Sequence, residues 1–131
     1  EAHKEWVIKA DYAEIDKTER LSHLETVTGT VYLKESASTI QFVSPKATLH
    51  MTSQQLYLTT PKITIFHFDE PLYISAKNMV WDSYKHSLNG RKDISISNQN
   101  IQLIGDYFET NLHENRVVLS KNARATIKVV Q

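Results

Sequence analysis

The sequence predicts an all-β domain built from stacked hairpins, and three observations lead there. One strand-building pattern occurs four times along the 131 residues, the regular segments are filled with Val, Ile, Thr, Tyr and Phe, and helical spacing of apolar residues is hard to find. A repeat of roughly thirty residues marks one supersecondary unit stacked on copies of itself, none of which buries its apolar face alone.

The pattern centres on a small residue: Ala10, Ser44, Ala76 and Gly105. Large apolar side chains stand four residues before it (Trp6, Ile40, Leu72, Ile101) and two before it (Ile8, Phe42, Ile74, Leu103). A second pair follows at plus three (Ala13, Ala47, Met79, Phe108) and plus five (Ile15, Leu49, Trp81), where the last copy has Thr110 instead. Minus four, minus two and zero share one face of a strand, and the step to plus three breaks that parity by one residue. The expectation is a β-bulge at each small residue, which bends the strand and keeps both flanks of the bend apolar on one side. Polar turn starters stand at plus six, Asp16, His50, Asp82 and Asn111, and the Asp and Asn among them can close a turn through side-chain to backbone hydrogen bonds.

In chain order the expected strands are 5–12, 26–34, 39–44, 47–51, 55–59, 62–68, 71–81, 93–97, 100–111, 115–120 and 123–130. Pro61 and Pro71 bracket the sixth, at positions a sheet tolerates. Asn89 and Gly90 form the one strong tight-turn dipeptide. No linker, low-complexity tract or charge block divides the chain, so residues 1–131 read as one domain.

Charge and motif content exclude several functions. Fifteen basic and fifteen acidic residues cancel, leaving no global field for nucleic acid, although Arg91, Lys92, Arg116, Lys121, Arg124 and Lys128 make the C-terminal half more basic. Six histidines stand at no metal-site spacing and read as solvent-facing or turn residues, His67 pointing away from both Phe66 and Phe68; cysteine is absent. The adjacent pair Asp69 and Glu70 would point to opposite strand faces, and three glycines build no phosphate loop or nucleophile elbow. The expectation is a non-enzymatic protein without metal or cofactor. No run approaches the roughly twenty apolar residues of a bilayer span, and residues 1–9 lack the pattern of a secretory signal, so either a segment precedes Glu1 or the protein is cytosolic.

A hairpin stack leaves two unpaired edges, a liability unless another chain covers them. The first and last strands are the candidates, through Trp6, Ile8 and Ala10 and through Ala123, Ala125 and Ile127. Thr110, near the last edge, is expected to face a partner or water.

Certain segments resemble a known family. Trp6-Val7-Ile8-Lys9-Ala10-Asp11 followed by Val27-Thr28-Gly29-Thr30-Val31 is similar to the opening of the periplasmic domain of LptC, the bitopic component of the bacterial lipopolysaccharide transport bridge. Ser75-Ala76-Lys77-Asn78-Met79-Val80-Trp81-Asp82 with Leu88-Asn89-Gly90 resembles the recurring unit of that family and of the soluble, OstA-like LptA. Gly105-Asp106-Tyr107-Phe108-Glu109-Thr110-Asn111-Leu112, then Val118-Leu119-Ser120-Lys121-Asn122-Ala123, resembles its C-terminal turn.

The resemblance implies a twisted β-jellyroll open along one side, with an apolar groove for the acyl chains of lipid A. It also implies end-to-end contact with an LptA-like bridge protein, an inner-membrane ABC transporter as the energy source, and a periplasmic location anchored in the inner membrane by a segment absent from this chain. The groove would then use repeat positions: Ile8, Phe42, Leu49, Ile74, Met79, Trp81, Leu103 and Phe108. An LptA-like role without an anchor is the variant reading. Two other classes compete: a structural or adhesive β-solenoid with a filled core, and a carbohydrate-binding sandwich using Tyr32, Tyr57, Tyr73 or Tyr84.

Overall fold

The computed structural model describes residues 5–33, 38–67, 70–111 and 116–127. Its eleven strands are antiparallel and no helix occurs among the described residues: β1 (Glu5–Asp16), β2 (Leu21–Leu33), β3 (Ser38–His50), β4 (Gln55–Thr59), β5 (Lys62–His67), β6 (Glu70–Ser75), β7 (Asn78–Asp82), β8 (Ser87–Ser97), β9 (Ile101–Asn111), β10 (Arg116–Ser120) and β11 (Arg124–Ile127).

The long strands each cross two layers. The N-terminal half of β3 pairs with β5 and its C-terminal half with β4; β8 likewise pairs with β6 and β7, and β9 with β11 and β10. The sheet therefore folds along one corner into two faces that share a core, the shape of a jellyroll. Three expected boundaries change accordingly. Segments 39–44 and 47–51 are one bent strand, β3, whereas 71–81 breaks at Ala76 and Lys77 into β6 and β7. β1 and β2 run to a turn at 17–20, closer together than expected.

The parity break at the small residues is present, but its cause is not a bulge in each strand. Ala10 pairs with Val27 and Tyr12 with Glu25 in unchanged alignment, so Asp11 and Thr26 leave the ladder together; β2 and β3 do the same between Ser44 and Lys46. Only β8 shifts register, between Arg91 and Ile94. The corner is made by left-handed residues on alternate passes of the chain: Thr26 (φ 53°), Thr60 (φ 44°), Lys92 and Asp93 (φ 64° and 53°), and Lys121 and Asn122 (φ 60° and 61°). For the β-branched Thr26 and Thr60 this conformation stores strain of about 1 kcal/mol or more each. Neighbouring corners hold one another through backbone bonds: Thr60 N–H donates to Lys77 O (2.7 Å), Lys77 N–H to Lys92 O (2.9 Å) and Asp106 N–H to Lys121 O (2.9 Å). Ser44 is buried there with its hydroxyl 2.8 Å from Lys46 O and 2.7 Å from Thr59 O, which explains a polar residue at a core position.

At the opposite strand ends the hairpin turns repeat one design. Turns 17–20, 51–54 and 83–86 each close on a left-handed residue, Arg20, Gln54 and His86. Asp16 Oδ1 accepts from the backbone N–H of Thr18 and Glu19, both at 3.0 Å, and Asp82 Oδ1 from those of Tyr84 and Lys85 at 3.0 and 3.1 Å. These are the turn starters expected at plus six. Asn89 and Gly90 form no turn; they lie within β8, where Gly90 is buried between Met79 and Phe108 and has no positive φ. A Cβ there would stand 3.0 Å from both Phe108 Cδ1 and Ile94 Cδ1, so the glycine serves close packing.

Asp82 is buried and its second oxygen accepts from Gln55 Nε2 at 3.0 Å across the β4–β7 pair. That hydrogen bond, opposed by burial and helped by the Lys85 and Tyr84 N–H groups and by the Lys85 charge, holds the carboxyl below its ordinary value. A depressed folded value adds stability above the unfolded value and loses it as pH falls through the folded one. Asp82→Asn should thus cost about 1 kcal/mol at neutral pH, and the difference from wild type should disappear at an acid pH where the carboxyl is protonated in both states. Urea titrations at both pH values measure it; an equal loss at both would mean that charge plays no part.

Candidate functional site

Pairing sorts the inward residues into rows that run across the whole molecule. In one face Ile8 lies opposite Gly29, Gly29 opposite Phe42, and the row continues through Ile63, Ile74, Ile96 and Leu103 to Ala125. In the other face Leu58, Met79, Gly90, Phe108 and Leu119 form one row, and Leu49, Leu56, Trp81, Leu88, Thr110 and Val117 another. All eight expected groove residues are therefore in these three rows and face one interior. The rows run straight across the strands because every pass bends at the same level.

Burial divides them. Phe42, Ile74, Met79, Trp81 and Phe108 belong to the buried core, whereas Ile8, Leu49 and Leu103 are half-buried and packed against it. Ile65, Leu72 and Leu119 are in that half-buried set too, although they are outside the expected groove. Along β5 and β6 burial falls away from the corner: Ile63 and Ile74 are 2% exposed, and their outward neighbours on the same face, Ile65 and Leu72, are half-buried. The interior is closed along the corner and loosens toward the strand ends on the β5–β6 side, whereas Leu56, Trp81 and Leu88, the outer row of the other face, stay buried. Leu72 was legible as a repeat position; Ile65 and Leu119 follow from alternation in 62–67 and 116–120.

Both ends of the stack leave the inward face open. Among the described residues β1 pairs only with β2, and β10 and β11 only with β9. Ile15, on the face of Ser22 and Leu49, is 60% exposed; at the far end Ile127, opposite Ile101, is 66% exposed and Val117, opposite Thr110, 41%. Of the six expected edge residues, Ile8 and Ala10 are in β1, Ala125 and Ile127 in β11, and Ala123 just before β11; the side chain of Trp6 lies outside the described residues. β10 is a third free edge that the sequence reading did not single out.

Thr110 faces neither water nor a partner. It is buried, 5% exposed, and its hydroxyl donates to Arg116 O at 2.7 Å, tying β9 to the start of β10. Its hydrogen bond goes to the backbone, so a polar side chain fits among apolar neighbours. Thr110→Val should cost about 1 kcal/mol by stranding that carbonyl, read as a lower urea midpoint; an unchanged midpoint would contradict the assignment.

The polar surface gathers no catalytic set. No group of three His, Asp, Glu or Cys able to hold a metal occurs among the described residues, and His67's side chain and Asp69 lie outside them. His23 Nδ1 lies 3.4 Å from Thr48 Oγ1, and the His50 ring tilts against Tyr57 at 4.5 Å between centroids. Of the basic residues, Arg91 and Lys121 flank the Tyr107 ring at 5.9 and 5.7 Å, a cation–π arrangement on the outer surface.

Comparison with known proteins gives a family match and structural matches. The family model "Lipopolysaccharide-assembly, LptC-related" matches residues 1–128. The chain is similar to a solved structure from Pseudomonas aeruginosa, LptH, described as the LptA homologous periplasmic component of the conserved lipopolysaccharide transport device. The TM-score is 0.76 at 8% identity over 95% of this chain and 96% of that one, which establishes a shared fold. No curated protein sequence matches the chain.

Proposed function

Because the chain belongs to the LptC-related family of lipopolysaccharide assembly, we propose that it is a non-enzymatic, periplasmic, lipopolysaccharide-binding bridge component that receives its cargo from an inner-membrane ABC transporter and passes it along the apolar interior. The observation that carries this reading is the exposure of the inward apolar face at both ends, at Ile15 and at Ile127. In a protein that kept its core to itself those positions would be covered or polar. Stacking on an LptA-like partner through β1 at one end and β10 with β11 at the other buries them and joins two interiors into one path.

In this reading the half-buried Ile8, Leu49 and Leu103, with Ile65 and Leu72, meet the acyl chains first. Phe42, Ile74, Met79, Trp81 and Phe108 form the floor beneath them. Each methylene taken from water contributes about 0.8 kcal/mol, so even part of an acyl chain holds firmly and onward movement needs a driven step. That is the physical reason for a transporter partner. An inner-membrane anchor preceding Glu1 would keep the domain beside the transporter.

The test is native mass spectrometry of the domain with added lipopolysaccharide, combined with photocrosslinking from positions 72 and 103. Adducts at both, and none from a probe at Tyr57 on the outer surface, are expected. A protein that shows no lipopolysaccharide adduct where a known transport protein binds returns the reading to a filled-core solenoid.

A further inference from the structure

The two outer faces of the fold differ in charge. On the face formed by β1, β2, β3, β8 and β9 beyond the corner, outward residues include Glu14, Glu25, Lys46, Arg91 and Glu109, all exposed. The other outer face carries an uncharged row through eight strands. It begins at Val7 and continues through Thr30, Gln41 and Thr64 to Tyr73, then through Ser97 and Gln102 to Thr126. In a chain of which 23% is charged, such a row is a distinct surface. Charge returns on the neighbouring rows, at Lys9, Lys62 and Arg124 toward the corner and at Glu5, opposite Tyr32, on the other side.

Aromatic rings stand on the other side of that row. Tyr32 (46% exposed) and Phe66 (42%) both pair with Thr39 from opposite sides, and Tyr73 (50%) lies diagonally next to Phe66. Two strand spacings separate Tyr32 from Phe66, roughly 10 Å, a distance at which alternate rings of an extended β-linked sugar chain stack on successive aromatics. Tyr57 and Tyr84, the other exposed tyrosines considered for sugar contact, are on the charged face and in a turn. At its far end the row joins a cleft of about 720 Å³ lined by Ser95, Ile104, Asp106, Asn122 and Arg124; Gln102 Nε2 reaches across to Ser95 Oγ at 3.3 Å. Its size suits a small ligand or the terminal unit of a longer one.

We propose that this outer face binds a neutral polysaccharide laid across the strands, with Tyr32, Phe66 and Tyr73 as the stacking platform and Thr30, Gln41 and Thr64 as hydrogen-bonding partners of its hydroxyl and amide groups. The uncharged row and the rings beside it select the occupant. A membrane surface or an acidic partner would call for cations along the row itself, and a hydrophobic protein partner would not be met by a row of hydroxyls and amides. A sugar chain matches both the apolar rings and the polar shelf, as amphipathic aromatics do when one side is apolar and the other wet. The site is separate from the interior and is independent of the lipid path.

The probe is a soluble hexamer of β-1,4-linked N-acetylglucosamine, titrated against the intact domain by NMR or calorimetry in low and high salt. Saturable binding that salt leaves unchanged is expected, falling at least tenfold in the Tyr32→Ala, Tyr73→Ala double variant. Tyr57→Ala should bind as wild type, and the double variant should keep its circular dichroism spectrum and its lipopolysaccharide adducts. The proposal is overturned by no binding in the wild type, by binding abolished in high salt, or by an equal loss in Tyr57→Ala.

Discussion

Replacing Phe108 by Ala is expected to remove about 3–5 kcal/mol of stability, the largest single-residue loss in this protein. Phe108 has no exposed surface and sits in β9 between Gly90 on one side and Leu119 on the other. Gly90 leaves its place open to the ring and has no side chain to offer the vacated volume, which only shifts of Met79, Ile94 or Leu119 could partly refill. Domains of this size are stable by about 5–15 kcal/mol in total, so the variant should be partly unfolded at modest urea. The denaturation slope should be unchanged, because the same surface is exposed on unfolding. A loss under about 1 kcal/mol would mean that the ring borders a space already open to solvent. Lipopolysaccharide, if it binds the folded form, should raise the midpoint of wild type by mass action, an effect that can be measured beside this one.

Gly29→Val is expected to cost about 2–3 kcal/mol, by overfilling rather than emptying the core. Gly29 faces inward in β2 opposite Phe42, and the Phe42 ring occupies the space a side chain at 29 would need; a Cβ there would overlap Phe42 Cε2 and Cζ. An aromatic ring laid over a strand glycine gives β2 the packing it lacks and pins the β2–β3 register. With Val at 29 the ring must leave its rotamer or the strands must part, close to Ile8 at the β1 end of the same row. The companion Phe42→Leu should cost less in the Gly29→Val background than in wild type, and a double-mutant cycle by thermal denaturation measures that coupling. Strict additivity would show that the ring is free to move aside.

Much of the fold was legible because the chain repeats its solution. The small residue, its flanking apolar pairs and the turn starter recur at Ala10, Ser44, Ala76 and Gly105, so any one copy reports on the others. Period two identified the inward faces, and Asp16 and Asp82 cap turns of the same geometry. Misread positions were those whose role depends on a distant strand. Asn89 and Gly90 have turn chemistry, but the fold needs the missing side chain beside Phe108, nearly twenty residues on. Thr110 looks like a surface residue until Arg116 O accepts its proton.

The candidate site divides in the same way. Which side chains face inward follows from alternation and the parity break, and sequence alone determined it for all eight expected groove residues. Which of them are sealed in the core and which stay half-buried is decided by what packs around each: Ile8 and Leu103 share a row with the buried Phe42 and Ile74 but stand at or next to the ends of the stack. The corner exists because left-handed residues such as Thr26 and Thr60 stand level with the residues that follow the small ones, Thr26 between Asp11 and Pro45 and Thr60 bonded to Lys77, a match made between strands and invisible within one. The sequence by itself thus determined the all-β class, the repeat, the inward faces and the terminal edges. Only the tertiary structure decided where the sheet folds, which inward residues stay half-buried, and that one outer row is uncharged from Val7 to Thr126, because each of these is a property of rows that cross the chain at right angles.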